Sequence, residues 1–185
     1  MKTGQGYPVM HMLWIGMLFV AGTAVAGQVY NDWAIVDKGS TIVKTTMLKT
    51  DELIFENRTY RYVEVPDEFA GAKITRGRVD FKDRNITIFT GFTRSVRLYF
   101  STHPRHLDSK PNIPVEIRVT GNDGRVGVYT MKDLLNSRKR ITYLLQGSNG
   151  LVKAQDLLFF LDIKDAKEIQ VDAGTIPGNV FFVAE

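Results

Sequence analysis

From Gly27 onward, apolar and polar residues alternate through most of the chain. In Val96-Arg97-Leu98-Tyr99-Phe100 a period of two sends Val96, Leu98 and Phe100 to one face, and Arg97 and Tyr99 to the other. Val115-Glu116-Ile117-Arg118-Val119 repeats the arrangement, with Val115, Ile117 and Val119 facing inward and Glu116 facing solvent. Ile42–Met47, Thr59–Val65, Asn85–Phe89, Ile141–Gln146, Ile169–Asp172 and Asn179–Val183 follow the same rule. Leu157–Leu161 is apolar throughout, which predicts a strand covered on both faces.

Turn chemistry separates these runs. Gly121-Asn122-Asp123-Gly124 predicts a tight hairpin, because glycine, asparagine and aspartate tolerate positive φ. Gly147-Ser148-Asn149-Gly150 and Pro177-Gly178 mark further reversals. Pro66–Gly71 predicts one helical turn, with acids at its start and glycine at its end. Thr130–Ser137 predicts another, with Thr130 as the cap and Asp133 three residues on. Many short strands spaced about 8–12 residues apart, with little helix, predict an all-β antiparallel sandwich, with a jelly roll as the preferred version. A lipocalin-like barrel is the main competitor, and it would show more regular up-and-down hairpins.

Three segments carry a resemblance. Glu56-Asn57-Arg58-Thr59-Tyr60, Val65–Ala72 and Val96–Phe100, with the closing Pro177–Ala184, together resemble galactose-binding-like β-sandwich modules. Such modules accompany exported bacterial proteins of polysaccharide degradation. The resemblance implies a jelly-roll fold and an association with carbohydrate. It departs at Arg76–Asp83, which is arginine-rich where these modules often carry an Asn/Asp-rich stretch, and no ligand-binding residue carries across.

The N-terminus adds an address. Met1–Ala26 has Lys2, an apolar run from Met12 to Ala21, and Ala24 and Ala26 before Gly27. That is the layout of a secretory signal peptide, and the apolar run is shorter than the ~20 residues a membrane span needs. Cleavage there leaves about 159 residues, Gly27 to Glu185, expected to form a single β-sandwich domain without an integral membrane segment. The chain contains no cysteine, which excludes disulfides, thiolate metal sites and cysteine nucleophiles. The expected compartment is the periplasm or the exterior. The net charge is +4, of which Lys2 supplies one, too small a surplus to argue for a polyanion partner, nucleic acid included.

Candidate chemistry is sparse. His103 and His106 stand three apart, but Pro104 disfavours a helix that would align them, and a metal site usually takes three or more ligands. No metal or cofactor is expected. Ser101 and His103 share a strand face, yet no Gly-x-Ser-x-Gly elbow occurs and no catalytic residue is assigned. Glu64, Asp67, Glu68, Asp80, Asp83, Glu116 and Asp162 include no pair that spacing alone would place across a cleft. Tyr30, Trp33, Tyr60, Tyr62, Phe92, Tyr99, Tyr129 and Tyr143 are expected mostly in the core or over its rim, with a sugar-stacking platform among them as the alternative. The distinctive polar feature is basic: Arg76, Arg78, Arg84, Arg94, Arg97, Arg105 and Arg138-Lys139-Arg140. Arginine forks suit the carboxylate or sulfate groups of acidic glycans, although the interspersed Asp80, Asp83 and Asp133 predict local neutralisation. The candidate binding residues are Arg76, Arg78, His103, Arg105, Asn122 and Asp123, in or beside loops at an end of the sandwich. The expected function is an exported, non-catalytic carbohydrate-binding module. An envelope domain with a structural or protein-binding role is the alternative, and a glycan-active enzyme ranks third.

Overall fold

The computed structural model describes residues 28–36, 43–79, 85–108 and 115–185. The leader read at Met1–Ala26 lies outside the described residues, as do Asp80, Asp83 and Arg84. Strands occupy Ala34–Val36 (β1), Lys44–Met47 (β2), Arg61–Glu64 (β3), Lys73–Arg76 (β4), Ile86–Thr90 (β5) and Val96–Thr102 (β6). They continue at Glu116–Gly121 (β7), Val126–Thr130 (β8), Leu135–Gly147 (β9), Gly150–Ile163 (β10), Ala166–Asp172 (β11) and Asn179–Ala184 (β12). Among the described residues, β1-β5-β11-β7-β8 form one sheet and β2-β4-β12-β6-β10-β9-β3 the other. All pairings are antiparallel. The expected all-β antiparallel sandwich is what the chain forms. No helix among the described residues is long and apolar enough to cross a membrane.

The alternation in β6 fixes the layering. Val96, Leu98 and Phe100 are buried against the five-stranded sheet, where Ile117, Val119 and Ile169 meet them. Trp33, Phe89 and Phe182 lock this core edge to face, with ring centroids 5.2–5.5 Å apart. Each such aromatic ring contributes about 2–3 kcal/mol by leaving water. In β10, Phe159 and Leu161 pack on this first core, while Leu158 and Phe160 turn to the opposite face of the seven-stranded sheet. Leu157–Leu161 is apolar throughout because each face meets a core, although Phe160 stays partly exposed.

That opposite face carries a second core. Tyr99, Phe181, Ile141, Tyr143 and Leu158 project from the sheet and are roofed by Leu48, Ile54, Phe55 and Phe69 from the segment between β2 and β4. Phe69 meets Tyr99 and Phe181 at 4.8 and 5.1 Å, and Tyr99 stacks on Phe181 at 4.9 Å. The roof is tied down at both sides. Leu48 N–H donates to the Ala72 carbonyl at 2.7 Å, Tyr62 N–H to Glu52 at 3.1 Å, and Glu56 N–H to Gly77 at 2.9 Å. Tyr62 on edge strand β3 reaches across to the buried Asn179 of β12, its hydroxyl 3.2 Å from the amide, so the seven-stranded sheet curls around this core.

Two local expectations are corrected. The predicted helix at Thr130–Ser137 is a turn followed by β9. Asp133 Oδ2 accepts from Thr130 N–H at 2.7 Å and from its hydroxyl at 2.9 Å, closing a single turn, and pairing with β10 draws Leu135 onward into extended backbone. Conversely, one helical turn does form after Pro104, at Arg105–Asp108 (α1), with Leu107 N–H donating to the Pro104 carbonyl at 2.8 Å. Proline at the mouth of a helix loses no bond that the helix needs. The turn predicted at Pro66–Gly71 is present as a 3-10 turn at Asp67–Phe69, with Gly71 at φ +81°. The hairpin at Gly121–Gly124 is also present, closed by Gly121 N–H on Arg125 at 2.8 Å.

Candidate functional site

The alternation that buries Leu98 and Phe100 sends Arg97 and Tyr99 to the outer face of the curled sheet. Strand β10 sets Phe160 opposite Tyr99 and Asp162 opposite Arg97. The two ring centroids lie 5.8 Å apart. Arg97 is held by a fork: Nε to Asp162 Oδ1 at 2.5 Å and Nη2 to Oδ2 at 2.9 Å. So held, its guanidinium lies 4.4 Å over the Phe160 ring. The bond to Asp162 keeps Arg97 protonated and holds the Asp162 carboxyl below its ordinary range. Burial pushes the Tyr99 phenol up.

These side chains floor a groove of about 890 Å³. One wall is the 3-10 turn, whose Phe69 is sunk in the second core while Glu68 faces the groove. The other wall is the start of β9, where Asn136 and Arg138 are exposed on either side of the buried Ser137. Lys139 Nζ joins the walls by an ion pair to Glu68 at 2.7 Å. That pair raises the lysine and lowers the carboxyl from their ordinary values. Arg94 also lines the groove, its guanidinium carbon 5.2 Å from the Tyr30 ring. This floor of ring and guanidinium, edged by the Asn136 amide, can hold a sugar ring by its apolar face and bond a hydroxyl beside it.

No protein-family model matches the chain, and no curated protein does. A solved structure does: a beta-glucuronidase from glycoside hydrolase family 2, with a TM-score of 0.51 and 11% identity. The likeness is one of fold. It covers 84% of this chain but 15% of that one, so the chain spans a small part of the enzyme's length.

A second, smaller cavity lies under the same roof, lined by Phe55, Tyr60, His103, Arg105, Tyr143 and Asp156, among others. Its volume of about 20 Å³ leaves room for a water molecule and none for a sugar ring. Asp156 is buried there, accepting from the Ser101 hydroxyl at 2.7 Å. Burial pushes its carboxyl up to about 6, against the bonds from Ser101 and Tyr143. His103 is pushed down, by burial first and by Arg105 second.

The residues expected from sequence fall in three places. His103 and Arg105 share the small cavity, with His106 beside them. Arg76 lies among carboxylates instead: Nε bonds Glu56, which also takes Lys44 at 2.9 Å, and Nη1 reaches Glu52 at 3.3 Å. Its charge is answered by Glu52 and Glu56, while of the expected acids Asp80 and Asp83 lie outside the described residues and Asp133 bonds Thr130. Arg78 is exposed just after β4. Asn122 and Asp123 sit at the β7–β8 turn on the other sheet, where Asp123 Oδ1 accepts from Arg125 N–H at 3.0 Å. Neither lines the groove or the small cavity. No group of three or more His, Asp or Glu side chains suited to a metal ion occurs among the described residues. Nothing in the sequence pattern marks Phe160 or Asn136 as site residues. Phe160 sits in an apolar run that reads as core, and only the open gap between the 3-10 turn and β9 turns it into a floor.

Proposed function

We propose that this chain is an exported, non-catalytic module that binds carbohydrate in the groove over Arg97, Tyr99 and Phe160. The observation that carries the reading is the floor itself, an aromatic ring and a forked guanidinium at the base of a cleft of about 890 Å³. The N-terminal leader pattern and the galactose-binding-like segments support export and a carbohydrate association. The fold shared with part of a glycoside hydrolase family 2 chain supports the same class. Titration calorimetry of the full chain against a panel of neutral and acidic oligosaccharides tests it. A ligand should bind, and Phe160→Ala should weaken it about tenfold or more while leaving the circular dichroism unchanged. No binding by any member, or binding indifferent to Phe160→Ala, refutes the reading.

A second reading, a protein-interaction domain of the cell envelope, rests on β8. This edge strand exposes Val126 and Val128 by 58% and 51%, the kind of strand that a partner chain extends. A partner that co-purifies through β8, with no glycan binding, would favour it.

A further inference from the structure

We infer that the groove selects an anionic glycan, its carboxylate or sulfate groups held by Arg94 and Arg138. The inference rests on the carbohydrate reading above. It follows from which charges in the groove are already answered. Arg97 is closed by Asp162, and Lys139 by Glu68. Glu185, the remaining carboxylate of the lining, approaches Arg97 at 3.9 Å. Arg94 and Arg138 are exposed, and neither forms an ion pair with any described residue. Arg138 stands on the β9 wall, next to the lysine that bridges the groove. Arg94 precedes β6, beside the end of β12, where Glu185 N–H donates to the Ser95 carbonyl at 3.3 Å. Two guanidinium groups with no carboxylate partner among the described residues, Arg94 resting on the Tyr30 ring, raise the potential of the cleft and offer forked donors that match carboxylate and sulfate oxygens. A neutral glycan leaves both of them solvated and draws no benefit from them.

The test uses the full chain and paired probes: uronate oligosaccharides beside their methyl esters, and sulfated galactan oligosaccharides beside the desulfated forms. The charged member of a pair should bind about tenfold or more tightly than its neutral partner, with the advantage shrinking in 0.5 M salt. Arg94→Gln and Arg138→Gln should each remove much of that advantage without altering binding of the neutral form. Preference for the uronates or for the galactans identifies the anion. Equal affinity within pairs overturns the inference and leaves the carbohydrate reading standing, as does a charge preference that survives both substitutions. A panel in which nothing binds removes both.

Discussion

Ser101 Oγ donates a 2.7 Å hydrogen bond to Asp156 Oδ2, and both side chains are buried beneath the roof of the second core. No ion pair with a described residue compensates this carboxyl, so burial raises it from 3.8 to about 6. The folded state then binds a proton that the unfolded chain releases at lower pH. Stability from this group is full below the unfolded value and is lost as pH rises through about 6. The loss is on the order of 3 kcal/mol. His103, pushed down in the same cavity, contributes the opposite slope across the histidine range. Comparison with Asp156→Asn isolates the carboxyl. Urea midpoints from pH 4 to pH 8 should show the variant gaining on the parent as pH rises. A difference that does not change with pH would contradict the assignment.

Gly178 is required by a close approach. A Cβ placed there would sit 2.5 Å from the ring carbons of the buried Phe100 and 3.0 Å from the Ser101 carbonyl oxygen. Phe100 is held on both sides by β10 and β12 and has nowhere to move. Gly178→Ala should therefore cost about 1–3 kcal/mol by overpacking. Thermal melting checks this, with a fall of roughly 2–4 °C for each kcal/mol lost. An unchanged Tm would mean that the turn at 177–178 yields freely.

The fork between Arg97 and Asp162 positions the guanidinium more than it stabilises the fold. Both side chains are more than a third exposed, and such pairs contribute about 1 kcal/mol or less. Asp162→Asn should leave Tm nearly unchanged yet weaken glycan binding severalfold, because Arg97 is freed from the Phe160 ring. Calorimetry beside a melting curve separates the two effects.

Trp33 tests the first core. It is 1% exposed and meets Phe89 and Phe182 edge to face, with the Lys73 ammonium 4.7 Å over its ring. Trp33→Ala should cost about 3–5 kcal/mol. Equilibrium urea unfolding would show it, and a loss below 1 kcal/mol would mean that the sheets close without this residue.

The sandwich was legible because a period of two is a local property: Val96-Arg97-Leu98-Tyr99-Phe100 declares two faces by itself. It does not declare what covers the second face. Tyr99 is buried because Phe69, thirty residues earlier by chain position, folds over it. Arg97, on the same face, stays accessible because the roof stops short of it. The candidate site inherited that gap. Arg76 read as a binding residue until Glu52 and Glu56 closed on it, and Phe160 read as core until the groove opened over it. At Thr130–Ser137 the local capping pattern lost to strand pairing with β10, a long-range term that no window of eight residues contains. Asp156 gave no signal, since its character comes from Ser101 and Tyr143 on neighbouring strands.

Backbone amide chemical shifts, followed while a bound oligosaccharide is titrated in, test the central claim most directly. Carbohydrate recognition on the outer face of the curled sheet predicts perturbations centred on Arg97, Tyr99, Asn136, Arg138 and Phe160. Shifts confined to the end loops at His103–His106 and Asn122–Asp123, with the groove silent, would contradict it.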